Sequence, residues 1–475
     1  MGPVEKSLRF IAGADNERDV AALIDEASLS LLEDPGVKLE HEAILNLVLR
    51  KGARPGAAAS VVKFPRKMVE ECLALCPKEF PLANRRGEKK ILSSVCEPTF
   101  WSAPALALYR NGVHRNFMSQ DMADLARVLD QLDNVDVVFG VALDDVPPPA
   151  RDAVGLSIMA QNTSKHLRPL SFSPEGAEVM VEMKNVVGAH AWFSVGFTAH
   201  GPLRWTNLAL DIYKRTAGHG IPASVNGEPM AGVSGPVTLA GAAAVGNAEI
   251  LAGIVVNQVL EPGRPLIYNL GLAHVFDMRT AIAVTGAPEN HLLAAVSALM
   301  GRFYNLPSCS WVSTESMCHD EQAAMEKMLG FQTHVESGVS AVWGVGQLES
   351  EISISPAQAV VDNEMIAFVK RYLRGFDVTP ETLALDLTRQ VGITGSFLAE
   401  MHTAKHFRGE LHMPKLLCRD RRPNWKEKGS MRLDERAEEV ASQLMKSEVD
   451  SGLTDHEAQT LERLASRFVE RVKSV

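Results

Sequence analysis

Ile221-Pro222-Ala223-Ser224-Val225-Asn226-Gly227-Glu228 is a short β-rich run that ends on a turn-forming Asn-Gly pair. A long apolar stretch follows from Leu239 to Leu260. Then comes the punctuation Pro262-Gly263-Arg264 and a second β-rich run, Pro265-Leu266-Ile267-Tyr268-Asn269-Leu270-Gly271. This is strand, long helix, turn, strand: one βα unit handing over to the next. Asn247, Glu249, Asn257 and Gln258 interrupt the apolar stretch, so it reads as a buried core helix and not a membrane span.

The same alternation extends on both sides. Strand candidates fall at 99–103, 135–143, 167–173, 192–198, 221–228, 265–271, 308–314 and 341–348, each followed by a helical run. Eight such units between residues 97 and 378 come close to the ~250 residues typical of an α/β protein of the (β/α)8, TIM-barrel type. Ser173-Pro174-Glu175 and Ser355-Pro356 supply an N-cap residue before a first-turn proline. The rival is an open doubly wound sheet, but neither a GxGxxG turn nor a P-loop is present. Residues 1–96 read as an N-terminal helical layer. Residues 379–475 read as a helical C-terminal extension packed on the barrel.

With 475 residues, 46% of them hydrophobic and 22% charged, the chain is an ordinary globular one. Its net charge of −10 argues against general binding to nucleic acid or to an anionic membrane. The six cysteines form no CxxC pair and no zinc spacing. Together with a start that lacks a signal-peptide pattern, they lead to the expectation of a cytoplasmic enzyme.

Barrel sites sit at the C-terminal ends of strands. Those ends carry Trp101, Phe139, Phe172, Phe197, Tyr268, Trp311 and Trp343, beside Glu228, Asn269, His274, Arg279, Glu315, Cys318, His319 and Glu349. Aromatic rings at a barrel mouth suit a quaternary ammonium ion, which cannot donate a hydrogen bond and is held by ring faces. The competing reading of each ring is core packing. Glu228 either pairs with a cation or caps the next loop. Asp277 and Arg279 read as a structural ion pair. Cys318 and His319 resemble a nucleophile beside a base, but neighbours on an emerging helix diverge. His402, His406 and His412 have no ligand partner at metal spacing, and no metal site is expected.

Longer motifs run through the chain in order. Ser234-Gly235-Pro236-Val237-Thr238-Leu239-Ala240-Gly241 precedes Asn247-Ala248-Glu249-Ile250-Leu251-Ala252-Gly253. Pro265-Leu266-Ile267-Tyr268 leads to Asp277-Met278-Arg279-Thr280. Gly286-Ala287-Pro288-Glu289 comes before Tyr304-Asn305-Leu306-Pro307. Gln322-Ala323, Glu326-Lys327, Leu348-Glu349-Ser350, Phe397-Leu398, His402-Thr403 and His406-Phe407-Arg408 follow. The chain thereby resembles the trimethylamine methyltransferase family over nearly its whole length.

The resemblance implies a (β/α)8 barrel that moves a methyl group from a methylated amine to the cobalt of a separate corrinoid protein docking at the barrel mouth. No cofactor would be held tightly by this chain. The family's trimethylamine enzymes carry pyrrolysine in the loop after strand seven. The equivalent loop here is Thr314-Glu315-Ser316-Met317-Cys318-His319-Asp320, and the special position falls at Met317 or Cys318. The chain therefore resembles the non-pyrrolysine branch, whose members demethylate glycine betaine, proline betaine or carnitine. Such a substrate already carries its charge and leaves as a neutral tertiary amine, so no general acid is needed. A betaine carboxylate would need a donor, for which His274, Asn269, His334 and Arg302 are candidates.

Two other functions compete. A lyase or aldolase would want a Schiff-base lysine or a metal set at the strand ends, and neither is apparent. A non-catalytic sensor of quaternary amines would need the same cup. A homo-oligomer is expected, because the tail helices need cover for their apolar faces.

Overall fold

The computed structural model describes residues 8–188 and 190–474. Eight parallel strands occupy its centre: β1 (Thr99–Ser102), β2 (Val137–Phe139), β3 (His166–Arg168), β4 (Val195–Thr198), β5 (Ala223–Asn226), β6 (Leu266–Gly271), β7 (Ser308–Trp311) and β8 (Ala341–Val345). They lie side by side in the order β3-β2-β1-β8-β7-β6-β5-β4. The two ends of that order meet where Leu167 bridges Phe193 in parallel and Ser194 N donates to Leu167 O at 3.0 Å. The open doubly wound alternative is thereby excluded. Each strand overlaps its expected run but is shorter: β3 starts one residue early at His166, β4 and β6 lose residues at their start, and most of the others also give up their last residues to the loops of the mouth.

The outer ring consists of α1 (Ser119–Asp130), α2 (Arg151–Asn162), α3 (Pro174–Val186), α4 (Asn207–Thr216), α5 (Leu239–Leu260), α6 (Pro288–Tyr304), α7 (Glu321–Ser337) and α8 (Pro356–Leu373). Ser173 and Ser355 cap α3 and α8 by accepting from Gly176 N and Gln358 N, and Pro174 and Pro356 occupy the first helical position. Strand side chains alternate with period two. Val138, Leu167, Val225, Leu270 and Val342 pack under the helices, whereas Trp101, Val137, Ile267, Cys309 and Trp343 fill the interior.

α5 shows why a helix apolar all round can carry four polar residues. It is long and apolar enough to cross a membrane by length and composition, but it is mostly buried between the barrel and the N-terminal helices Glu17–Glu33 and Arg66–Leu75. Each polar interruption is hydrogen-bonded. Asn247 donates to Ser28 Oγ and Tyr304 Oη (both 2.9 Å) and accepts from Tyr268 Oη (2.7 Å). Glu249 accepts from Leu203 N at 2.9 Å. Asn257 and Gln258 anchor Arg264, which is fully buried.

The N-terminal segment holds strands as well as helices. Hairpin strands Glu79–Ala83 and Lys89–Ser93 insert Phe80, Leu82 and Leu92 into the same cluster as the inward barrel residues. That hairpin lies just before β1 and seals the barrel end opposite the mouth. At the C-terminal end, helix Leu433–Leu444 packs on α8, and helix Asp455–Lys473 packs on α2 and α3 through Leu461, Ala465 and Phe468.

Candidate active site

The mouth opens into a cup of about 260 Å³. That is below the roughly 300–1,000 Å³ of drug-sized sites, so it takes a compact ligand. Five rings wall it: Phe139 at the end of β2, Phe172 after β3, Phe197 on β4, Trp311 on β7 and Trp343 on β8. Trp343 receives the edge of Phe139 at a centroid distance of 5.2 Å, and Phe172 meets Phe197 at 5.8 Å, also edge on. Trp311 donates its indole N–H to Gln347, whose amide reaches Pro104 O at 3.0 Å, so the ring is held from the turn after β8. Phe172 is 61% exposed and forms the rim.

Two carboxylates, Glu228 and Glu351, line the same cup. His274 joins them: its Nε2 lies 2.9 Å from Glu351 Oε1 and 3.4 Å from Glu228 Oε1. Burial alone would lower the His274 pKa. The hydrogen bond to Glu351 and the charges of both carboxylates outweigh burial and push it up to about 9. Burial raises Glu228 to about 7, against the pull of His274. The three ligand atoms lie within 4.8 Å of one another, close enough to share a cation. His274 Nε2 is hydrogen-bonded to Glu351 and stands within ion-pair distance of Glu228. With both acids ionised, the trio carries one net negative charge. The backbone aims Glu351 through a turn in which Glu349, Ser350 and Glu351 all take positive φ (53°, 53° and 141°). Such a run of non-glycine residues is held only by its surroundings.

The cup also contains a cation that sequence reasoning missed. Arg168, the last residue of β3, points inward and is only 4% exposed. Its guanidinium lies 5.1 Å from the Phe139 ring centre, and Nη1 donates to Pro169 O at 2.9 Å.

The other expected residues lie elsewhere. Tyr268 is on the outward register of β6, where its hydroxyl serves Asn247 behind the sheet, so it cannot touch a ligand. Trp101 faces inward but one layer too deep: it stacks under Trp343 at 5.8 Å and donates to Thr99 Oγ1. Asn269 is on the inward register but supports Asn226 (3.1 Å) and accepts from Gly271 N, outside the cup lining. Glu349 turns away to His114 (3.2 Å) and Ser353 (2.6 Å), and Glu351, two residues on, takes the place expected for it. His274 braces the acids from behind. Met317 is 66% exposed on the loop after β7, and Cys318 lines a separate cavity outside the barrel with Arg432 and Asp434. Neither borders the cup. His319 bonds Ser355 Oγ at 2.8 Å, so Cys318 and His319 are not partnered.

Nor do the expected carboxylate donors reach the cup. His334 is buried behind β7 on Ser310 and Gly330, Arg302 pairs with Glu17, and Arg279 is an exposed partner of Asp277. Among the described residues no lysine lines the cup, so a Schiff-base lyase has no nucleophile there.

The sequence of this chain matches the profile of "Trimethylamine methyltransferase (MTTB)" over residues 4–474. It is 30% identical over 469 residues to the trimethylamine methyltransferase MttB of Desulfitobacterium hafniense strain DSM 10664 / DCB-2, covering 95% of this chain and 92% of that one. It is 28% identical over 421 residues to the glycine betaine methyltransferase of D. hafniense strain Y51, covering 86% and 87%. In fold it is similar to the crystal structure of the Methanosarcina barkeri monomethylamine methyltransferase MtmB, with a TM-score of 0.53 at 13% identity, covering 94% of this chain and 87% of that chain. A barrel with a compact ring-walled cup at its mouth, matched from end to end by one family, leaves one assignment: the chain belongs to the trimethylamine methyltransferase family and is a methyltransferase.

Proposed function

We propose that the chain takes a methyl group from a quaternary amine, glycine betaine or a related betaine, and passes it to the Co(I) of a separate corrinoid protein. The observation that carries this reading is the cup itself, lined by five rings and two carboxylates. Ring faces hold a permanent cation without hydrogen bonds. Glu228 and Glu351 add the opposite charge that trimmed aromatic contact alone would lack.

The corrinoid, carried by its own protein, supplies the nucleophile. The barrel fits that division of labour, because the cup opens outward past the exposed Phe172 and leaves one N-methyl free to face the visitor. What this chain contributes is orientation and exclusion of water. Its rings must not bind too well. Positive charge leaves nitrogen as the C–N bond breaks, so cation–π contacts weaken toward the transition state, and a fully closed cage would oppose the reaction. An open cup lined by rings and ionisable acids together meets that requirement. The ordinary residues at 314–320 agree with a substrate whose leaving group is already neutral.

The test is a cobalt methylation assay. With reduced corrinoid protein, glycine betaine should shift the corrinoid absorbance to the methylated form, and trimethylamine should not. Saturable binding of betaines without any cobalt methylation would make the chain a binder instead and overturn the catalytic reading.

A further inference from the structure

Arg168 is a charged side chain without a counter-ion. Among the described residues no carboxylate lies within ion-pair distance of it, and its Nε, buried in the cup wall, has no hydrogen-bond partner. Asp152 acts on it only at longer range, and that carboxylate is occupied by the amides of Phe172 (2.6 Å) and Ser173 (2.7 Å). A buried charge without a partner is costly in a folded protein, so an unpaired one facing a cavity calls for an anion from outside.

The surroundings are built to receive one. Ser171 borders the cup beside Arg168, and Ser224 stands on the inward register of β5; both hydroxyl oxygens are buried and unpartnered. Between Arg168 and Ser224 lies Gly196 on β4. A Cβ at that position would sit 2.0 Å from Ser224 Oγ and 2.7 Å from Arg168 Nη2. Glycine is therefore what lets the guanidinium and the hydroxyl converge on one point. Three donors, one of them charged, suit the two oxygens of a carboxylate.

We infer that Arg168 and Ser171 in the cup wall, with Ser224 just behind the lining at Gly196, form a carboxylate-binding subsite, which selects quaternary amines that carry an acid group and turns their ammonium toward Glu228 and Glu351. The inference rests on the functional reading above and deepens it: the substrate lies as a zwitterion between Arg168 and the acidic pair. Phe139 packs against both Arg168 (5.1 Å) and Trp343 (5.2 Å).

Binding is the test, independent of cobalt chemistry. Glycine betaine, choline and tetramethylammonium are titrated into the full chain by calorimetry, with the fluorescence of Trp311 and Trp343 as a second signal. Betaine should bind about tenfold or more tighter than choline, whose hydroxyl replaces the acid. Arg168→Met should abolish that preference while tetramethylammonium binds as before. Ser224→Ala, a smaller change that keeps the fold, should weaken betaine severalfold and leave tetramethylammonium unchanged. A native chain that binds all three cations alike overturns the subsite and leaves the quaternary-amine reading standing. So does an Arg168→Met chain, folded by circular dichroism, that keeps its preference. A native chain that binds none of them overturns both.

Discussion

Glu228 is the residue whose ionisation bears most directly on ligand capture. Held near 7, it passes from neutral to charged across the physiological range. Binding of a quaternary cation should therefore tighten severalfold from pH 6 to pH 8. Glu228→Gln should hold affinity at the weak, low-pH limit and flatten the profile; a wild-type affinity that does not change with pH would refute the role. His274 acts in the opposite sense and on stability. Its folded pKa of about 9 lies above the ordinary 6.5. The stabilisation it provides is complete below about 6.5 and is lost as pH rises through about 9. Thermal denaturation should show the midpoint falling between pH 7 and 9.5, with a shallower fall in His274→Gln. Around these two groups the structure brings some of the expected residues into one cup and leaves others out. Glu228 and the five rings stand out as aromatics and an acid at strand ends. Glu351 was displaced by two residues in a loop that no periodicity governs, and Arg168 was hidden inside a strand, where its charge was itself the unused signal.

The turn that leaves β8 depends on a buried ion pair between two helices. Lys327 of α7 and Asp362 of α8 meet at 2.8 Å with both side chains fully buried. Lys327 donates to Gly344 O and Gln347 O, both at 2.9 Å, while Asp362 accepts from Gly346 N at 2.7 Å and from Gln358. The turn needs this clamp because Gly344 and Gly346 take positive φ (117° and 88°), and a Cβ on Gly344 would meet Val312 O at 1.8 Å. Trp343 precedes the turn and Gln347, which holds Trp311, ends it, so the clamp sets two walls of the cup. Lys327→Met should cost about 3–5 kcal/mol by leaving Asp362 charged and unpaired. The double change Lys327→Met with Asp362→Leu should cost clearly less than the sum of the two single changes, and chemical denaturation of the four proteins measures the coupling. Additive losses would show that the pair does not act as a unit.

Beyond the barrel, no described residue between 371 and 415 is buried. Ile393 (97% exposed), Leu398 (86%), Met401 (80%) and Phe376 (77%) stand out from this stretch, which is tied back mainly by Arg371, Arg374 and His412. An apolar surface of this extent on one chain marks an interface. A partner protein that must come and go would favour a polar, transient contact, whereas permanent interfaces between copies are the hydrophobic ones. A second copy of this chain is therefore expected over the arm. Light scattering after gel filtration should give a dimer or a larger assembly, and Ile393→Glu with Leu398→Glu should shift it toward monomer. A native chain that runs as a monomer at micromolar concentration would contradict this.

The order of apolar runs, turn residues and caps was enough to count eight βα units and to place the mouth, because those features are local and repeat with the period of the element they form. It was also enough to put rings at the mouth. It could not say which way a side chain faces. Tyr268 and Asn269 are neighbours on β6, yet one serves the helical layer and the other the interior, since a shift of one residue reverses a strand's faces. Depth was equally hidden: Trp101 and Trp343 share a stack, and only the upper one lines the cup. Glu228, His274 and Glu351 are far apart in the chain, as are Arg168 and Ser224, and only barrel closure brings each set together.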